Sequence, residues 1–168
     1  HESGIQGAVL LAANFGLAVT GMWFIVGFVF RRTGTTELNE LSGLFECIPF
    51  LAIAFLSFGL AIVGMPGTPG FDAAHLILEG SIDSFGALPT VATALGNVAA
   101  AGFLLWAFQR AFLSQARQGG HDVDKTLPME YVVCGIALAA MLTIGFFTEP
   151  WLYLTETASQ AMAARFHR

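Results

Sequence analysis

Three ionisable side chains lie close together in an otherwise apolar stretch of the sequence. Asp72, His75 and Glu79 are three and then four residues apart, a spacing that places them on one face of a helix. A charged side chain at the centre of a bilayer costs about 2.5–3.5 kcal/mol on insertion scales, so such residues usually face a bundle interior and serve an ion pathway. Histidine exchanges protons near neutral pH. The pattern therefore indicates a stripe that could relay protons.

A helix-breaking motif precedes this stripe. Its members are Gly64, Pro66, Gly67, Pro69 and Gly70. The prolines lack an amide hydrogen and clash with the preceding turn, and the glycines permit unusual dihedral angles. Broken helices often line ion sites in transporters, because irregular backbone at membrane depth needs protein or water around it. The motif predicts an interruption between Gly64 and Gly70 and a helix that resumes near Phe71 or Asp72. An ordinary loop at the membrane surface is the alternative.

The stripe residues also have structural interpretations. Asp72 lies where a restarting helix favours an aspartate as its N-terminal cap. His75 and Glu79 could form an i, i+4 pair at the membrane interface. The residues alone leave these alternatives open.

Two uncharged polar residues, Asn14 and Asn97, lie near the middle of apolar segments. Such residues commonly form hydrogen bonds to a neighbouring helix, and beside a proton path they could also hold water. The sequence contains no phosphate-binding glycine loop, no metal-ligand cluster and no nucleophile triad. It therefore predicts no catalytic residue and no metal site.

Long apolar segments must position these residues. They cover residues 4–30, 47–83 with the interruption, 87–113 and 131–147. At about 1.5 Å per residue the first reaches roughly 40 Å, enough to cross the hydrocarbon layer with tilt. Residues 151–166 mix charged and apolar side chains, typical of an amphipathic helix lying on a membrane. We expect an all-α integral membrane protein, residues 1–168 forming one domain of four transmembrane helices and a C-terminal amphipathic helix.

The composition agrees with this class. Hydrophobic residues make up 55% of the chain and charged residues 11%, whereas about a quarter of a soluble domain is charged. The net charge of −5 argues against a nucleic-acid partner, because no basic stripe is present to neutralise phosphates. Cys47 and Cys134 lie in apolar stretches and are expected to be buried small hydrophobic residues.

Basic residues are distributed unevenly between the loops. Five lie in the loops after the first and third segments or in the last residues of the third segment, namely Arg31, Arg32, Arg110, Arg117 and Lys125. Two follow the fourth segment, Arg165 and Arg168. The positive-inside rule places the loops after the first and third segments on the cytoplasmic side. We expect a multi-pass protein of a bacterial inner membrane, with both chain ends on the opposite face.

The first segment carries small residues at every fourth position. They are Ala8, Ala12, Gly16 and Thr20. Small residues allow transmembrane helices to approach closely. We expect this face to pack on another helix and the segments to belong to a larger bundle.

The stretch GMPGTPGF, residues 64–71, resembles the antiporter-like membrane subunits of respiratory complex I, most of all the chain M type of NADH–quinone oxidoreductase. NFGLAVTGMWF, residues 14–24, resembles the family's Asn-His-Gly-Leu-Ser helix. RRTGTTELNELSGL is similar to the connection that follows that helix, and ALGNVAAAGFLLWAFQRAFL is similar to the next helix. The resemblance covers nearly the whole chain but only the last third of a family member, its final four transmembrane helices.

This resemblance implies a C-terminal fragment of a longer subunit, with a helix broken in the membrane and a hydrophilic axis that carries protons. Two positions depart from the family. Where the family has a histidine after the asparagine, this chain has Phe15. Where the family has a glutamate in the broken helix, this chain has Ala74. Asp72 and His75 flank that position and are expected to take over its exit role. We expect no cofactor on this chain, NADH and quinone chemistry in partner subunits, and other membrane subunits and lipid as partners.

Three functions follow from these observations. The chain is expected to contribute the exit part of a proton channel in an NADH–quinone oxidoreductase-type complex, with no redox site of its own. A non-conducting scaffold is the second hypothesis, and Phe15 and Ala74 favour it. The third is an antiporter-like subunit of a multi-subunit cation/proton antiporter, a membrane hydrogenase or an inorganic-carbon uptake complex.

Reporter fusions test the predicted topology. A reporter in the loop of residues 114–128 and another after Arg168 should report opposite faces of the membrane, because one crossing separates them. Signals from the same face would show that the number of crossings after the loop is even.

Overall fold

The computed structural model describes residues 2–115, 124–151, 153 and 154, and this part of the chain contains helices and no strand. The helices are α1 (Glu2–Thr33), α2 (Leu44–Cys47), α3 (Pro49–Ile62), α4 (Pro69–Phe85), α5 (Ala87–Phe108) and α6 (Pro128–Phe146). A π-helical turn, Gln109–Leu113, continues α5. The predicted all-α fold is confirmed.

Three stretches are long and apolar enough to cross a membrane. They are Gly4–Thr33, Ala87–Leu113 and Pro128–Phe146. The apolar helix Pro49–Ile62 is shorter, because the helix-breaking motif follows it. The count of four crossings stays a prediction. The expected amphipathic helix at 151–166 lies outside the described residues except for positions 151, 153 and 154.

The predicted interruption separates α3 from α4. We call residues 63–68 the break. Gly64 and Gly67 adopt φ angles of 80° and 86° there, a conformation that side chains with a Cβ rarely adopt. The helix resumes at Pro69, earlier than expected, because proline suits a first helical turn, where an amide hydrogen would have no partner. Thr68 takes the N-cap position and Asp72 lies in the first turn of α4, so the interpretation of Asp72 as the cap is wrong.

One face of α1 packs against α3, α4 and α6. Its buried residues are Gly7, Leu10, Asn14, Ala18, Gly21, Ile25 and Val29. This face is not the predicted small-residue stripe, whose four residues are exposed. Glycine is needed at position 21, because an added Cβ would lie 2.6 Å from the buried ring of Phe58. Packing of the small-residue stripe on another helix stays a prediction.

The apolar core lies between α1, α3, α6 and the π-helical turn. Its largest fully buried apolar side chains include Phe58, Ile25, Ile48, Leu51 and Met141. Of the two free cysteines, Cys134 is buried as expected and Cys47 is half-buried.

The C-terminal end of α6 packs directly on the break. A Cβ added to Gly145 would lie 2.4 Å from the carbonyl oxygen of Gly67 and 2.7 Å from the Cα of Thr68. The backbones of α6 and the break are therefore in contact, with no side chain between them.

Substituting Gly145→Ala should destabilise the protein, because the added methyl group overlaps backbone atoms. Overpacking of this kind typically costs about 1–3 kcal/mol. Gly135→Ala in the same helix is the matched control, since no atom lies within 4 Å of its added Cβ. We expect a lower thermal unfolding midpoint for Gly145→Ala alone. Equal midpoints for the two variants would contradict the close contact.

Candidate functional site

A buried asparagine from α1 reaches the last turn of α3 beside the break. Asn14 is 2% exposed, and its Nδ2 donates a hydrogen bond of 3.0 Å to the carbonyl oxygen of Ala61. Gly70 lies against this bond, since an added Cβ would be 2.8 Å from Nδ2 and 2.3 Å from the Ala61 oxygen. Asn14 therefore reaches α3 because position 70 carries no side chain.

The other side-chain atom of Asn14 has no partner among the described residues. Its Oδ1 is buried and accepts no hydrogen bond from them. The amide cannot simply be reversed, because Oδ1 would then face another carbonyl oxygen. A buried acceptor without a donor is costly, so this position is suited to a donor such as a water molecule.

A second asparagine donates to the end of α3 from α5. The Nδ2 of Asn97 lies 2.8 Å from the carbonyl oxygen of Val63. The last carbonyl groups of a helix have no partner within it. Asn14 donates to that of Ala61, which also accepts the backbone amide hydrogen of Gly64, and Asn97 donates to the carbonyl of Val63 just beyond α3. Asn14 hydrogen-bonds to a neighbouring helix as expected, whereas Asn97 bonds to the first residue of the break that follows that helix. Asn97 itself is exposed on this chain.

Asp72 lies on the other side of the break, in the first turn of α4. Its side chain is half-buried, and its Oδ2 accepts a hydrogen bond of 2.7 Å from the hydroxyl of Thr148, just after α6. The amino end of a helix stabilises a nearby carboxylate. The sequence did not identify Thr148, because a single threonine after an apolar helix carries no distinctive signal.

The other two members of the predicted stripe, His75 and Glu79, lie on the exposed face of α4. Asp72 is instead directed toward Thr148. The three residues share one helix as predicted, but they have different surroundings.

The two positions at which this chain departs from the family that it resembles both lie near the break. Phe15 follows Asn14 in α1 and is 39% exposed. Ala74 is half-buried, and its Cβ lies 3.6 Å from where a Cβ of Gly64 would be. Position 74 therefore faces the break, whereas Asp72 faces the segment that follows α6.

Metal ligands do not cluster in the described part of the chain. No group of three or more His, Cys, Asp and Glu side chains there could hold a metal ion. The polar groups assembled at the break are amide, hydroxyl and carboxylate groups. All of them can hydrogen-bond to water, and the carboxylate can also bind and release a proton.

The fold and the site together define a helical integral membrane protein with an interrupted helix of the kind found in ion transporters. The family model described as "NADH:quinone oxidoreductase/Mrp antiporter, TM" matches residues 1–108. The chain belongs to this family, as the resemblance had indicated.

Individual relatives agree with this assignment. The chain is 34% identical over 146 residues to NADH-quinone oxidoreductase subunit 13 of Thermus thermophilus, covering 87% of this chain and 30% of the relative. It is 28% identical over 158 residues to subunit M of Mycobacterium tuberculosis, covering 92% and 28%. It is 30% identical over 146 residues to F(420)H(2) dehydrogenase subunit M of Methanosarcina mazei, covering 87% and 29%. The chain thus spans about a third or less of the length of these relatives.

A solved structure shares the fold. A chain of respiratory complex I from Thermus thermophilus with bound NADH superposes with a TM-score of 0.81 at 30% sequence identity. The match covers 95% of this chain and 34% of that chain. The arrangement of the helices is therefore similar to that in part of a chain of respiratory complex I.

Substituting Asn14→Leu should destabilise the protein, because the substitution removes a buried donor to the end of α3. Loss of such a partner typically costs about 1–3 kcal/mol. Asn39→Leu is the control. It also removes a side-chain hydrogen bond, the one that Asn39 accepts from Arg110, but Asn39 is exposed in a loop. The SDS concentration at which the helices unfold measures the difference. Unfolding of Asn14→Leu at the wild-type concentration would show that the bond contributes little.

Proposed function

We propose that this chain is part of a proton-translocating membrane subunit of an NADH–quinone oxidoreductase-type complex and contributes the exit part of its proton channel. Membership of the family and the similarity to complex I subunits support this proposal. The observation that carries it is a helix break with a buried amide on one side and a carboxylate on the other.

The chemistry of the break suits proton transfer. Unwound backbone at membrane depth is tolerated where it is buried in protein or lines water. The Oδ1 of Asn14 is available to hold a water molecule, and the carboxylate of Asp72 can bind and release a proton. The hydroxyl of Thr148 both donates and accepts hydrogen bonds, so it can pass a proton to or from Asp72.

The remaining residues of the predicted stripe extend the path along α4. From Asp72 to Glu79 the helix rises about 10 Å, and His75 lies between them. In the proposed topology of four crossings, the loops after α1 and the π-helical turn face the cytoplasm. The end of α4 then lies on the opposite side, where protons would leave. Asn97 braces the break and can orient water there.

The redox chemistry belongs to partner subunits in this proposal. The sequence carries no glycine-rich phosphate loop for a nucleotide. We therefore propose that NADH and quinone react on other subunits of the complex, to which this chain binds within the bilayer.

Two alternatives retain specific support. Phe15 and Ala74 replace residues with proton-carrying side chains in the resembling family, which favours a scaffold that conducts nothing. The similarity to a subunit of F(420)H(2) dehydrogenase and the family description favour a related assembly. In this alternative the chain is part of an antiporter-like subunit of a multi-subunit cation/proton antiporter, a membrane hydrogenase or an inorganic-carbon uptake complex.

Proton pumping by the assembled complex tests the proposal. Asp72→Asn keeps the size of the side chain but removes its proton-binding group. We expect it to reduce pumping per electron severalfold, while electron transfer measured with an uncoupler is retained. Thr148→Val should have the same effect but smaller. Asp83→Asn, at an exposed position in the same helix, is the matched control and should pump normally.

The double variant Asp72→Asn with His75→Phe distinguishes a proton channel from a non-conducting scaffold. It should pump less than either single variant. Pumping at the wild-type rate by the double variant would show that these residues carry no protons, and the scaffold function would then be preferred.

A further inference from the structure

A buried ion pair joins α1 to α6 far from the break. Arg32, at the end of α1, donates from Nη1 to Oε1 of Glu130 at 2.8 Å and from Nη2 to Oε2 at 2.6 Å. The two side chains are 6% and 3% exposed. A bidentate pair of this kind fixes both the distance and the orientation of its partners.

Further hydrogen bonds hold both side chains in place. Arg32 also donates to the carbonyl oxygens of Phe28 at 2.9 Å, Asp124 at 2.9 Å and Lys125 at 3.3 Å. The Oε2 of Glu130 accepts the backbone amide hydrogen of Leu127 at 3.0 Å. Arginine does not release its proton in proteins, and both carboxylate oxygens are occupied. The pair is therefore suited to holding a geometry and poorly suited to carrying protons.

The two helices that this pair joins both make contacts at or beside the break, as α5 also does through Asn97. Along α1, Asn14 lies about 27 Å from Arg32, and along α6, Gly145 lies about 22 Å from Glu130 at the usual helical rise. Asn14 bonds to the end of α3, and Gly145 contacts the backbone of Gly67. The ion pair thus joins α1 and α6 at one level of the bundle, and the same two helices reach the region of the break at another level along their axes.

We infer that the Arg32–Glu130 pair is a positioning element for the break. It fixes how far α6 extends along α1, and that register decides where Gly145 meets Gly67. A small shift of α6 toward the break would overlap backbone atoms. A shift away would loosen the contact and the bond from Thr148 to Asp72. Only the consequence for proton transport rests on the proposed function.

Hydrogen–deuterium exchange of the assembled complex in nanodiscs tests this inference. Arg32→Lys keeps the charge but loses the bidentate geometry. We expect exchange in peptides covering the break to rise about tenfold, since local opening free energies set such rates. Arg31→Lys is the matched control, because Arg31 is the adjacent residue and is exposed. Glu130→Gln removes the other charge and serves if Arg32→Lys does not assemble.

The region in which exchange becomes faster decides whether the inference is supported. Faster exchange confined to the break and its contacts supports a positioning role. Wild-type exchange at the break, or an equal rise throughout α1 and α6, would overturn it. Pumping by the same samples separates the two proposals. Faster exchange with unchanged pumping would support the positioning role while contradicting the role of the break in proton transport.

Discussion

The interruption of a helix within an apolar protein leaves backbone groups without their helical hydrogen-bond partners. Carbonyl and amide groups that a continuous helix would pair must find other partners, because lipid offers none. Asn14 and Asn97 supply donors to the end of α3, and the hydroxyl of Thr68 donates to the carbonyl of Met65 within the break. The polar residues that satisfy this backbone are also the groups that can hold water.

The packing of the surrounding helices follows from the same requirement. Side chains would keep α1 and α6 away from the break, so glycines occupy the contact positions 70 and 145. Because such contacts tolerate little displacement, the helices need a fixed register. The buried Arg32–Glu130 pair supplies a rigid connection between them. The charged residues of this chain thus have two proposed roles. The Arg32–Glu130 pair positions helices at one end of the bundle, and Asp72 exchanges protons beside the break.

The sequence predicted those features that depend on local physics. Hydropathy located the long helices, and the glycines and prolines located the break, because each acts through its own backbone. The helix restarts at Pro69, a few residues before the predicted position, because proline is favoured in a first helical turn. The Asp72–Thr148 and Arg32–Glu130 pairs join residues 76 and 98 positions apart, and no local pattern reveals such contacts. Periodicity placed His75 and Glu79 on one face of α4, but tertiary packing decides whether that face is buried.

We propose that the break is a hydrated polar site. A high-resolution cryo-EM map of the assembled complex containing this chain tests it most directly. We expect an ordered water within hydrogen-bonding distance of Asn14 Oδ1, and further waters leading toward the carboxylate of Asp72. Apolar side chains that fill the space beside Asn14 and separate it from Asp72 would contradict the claim.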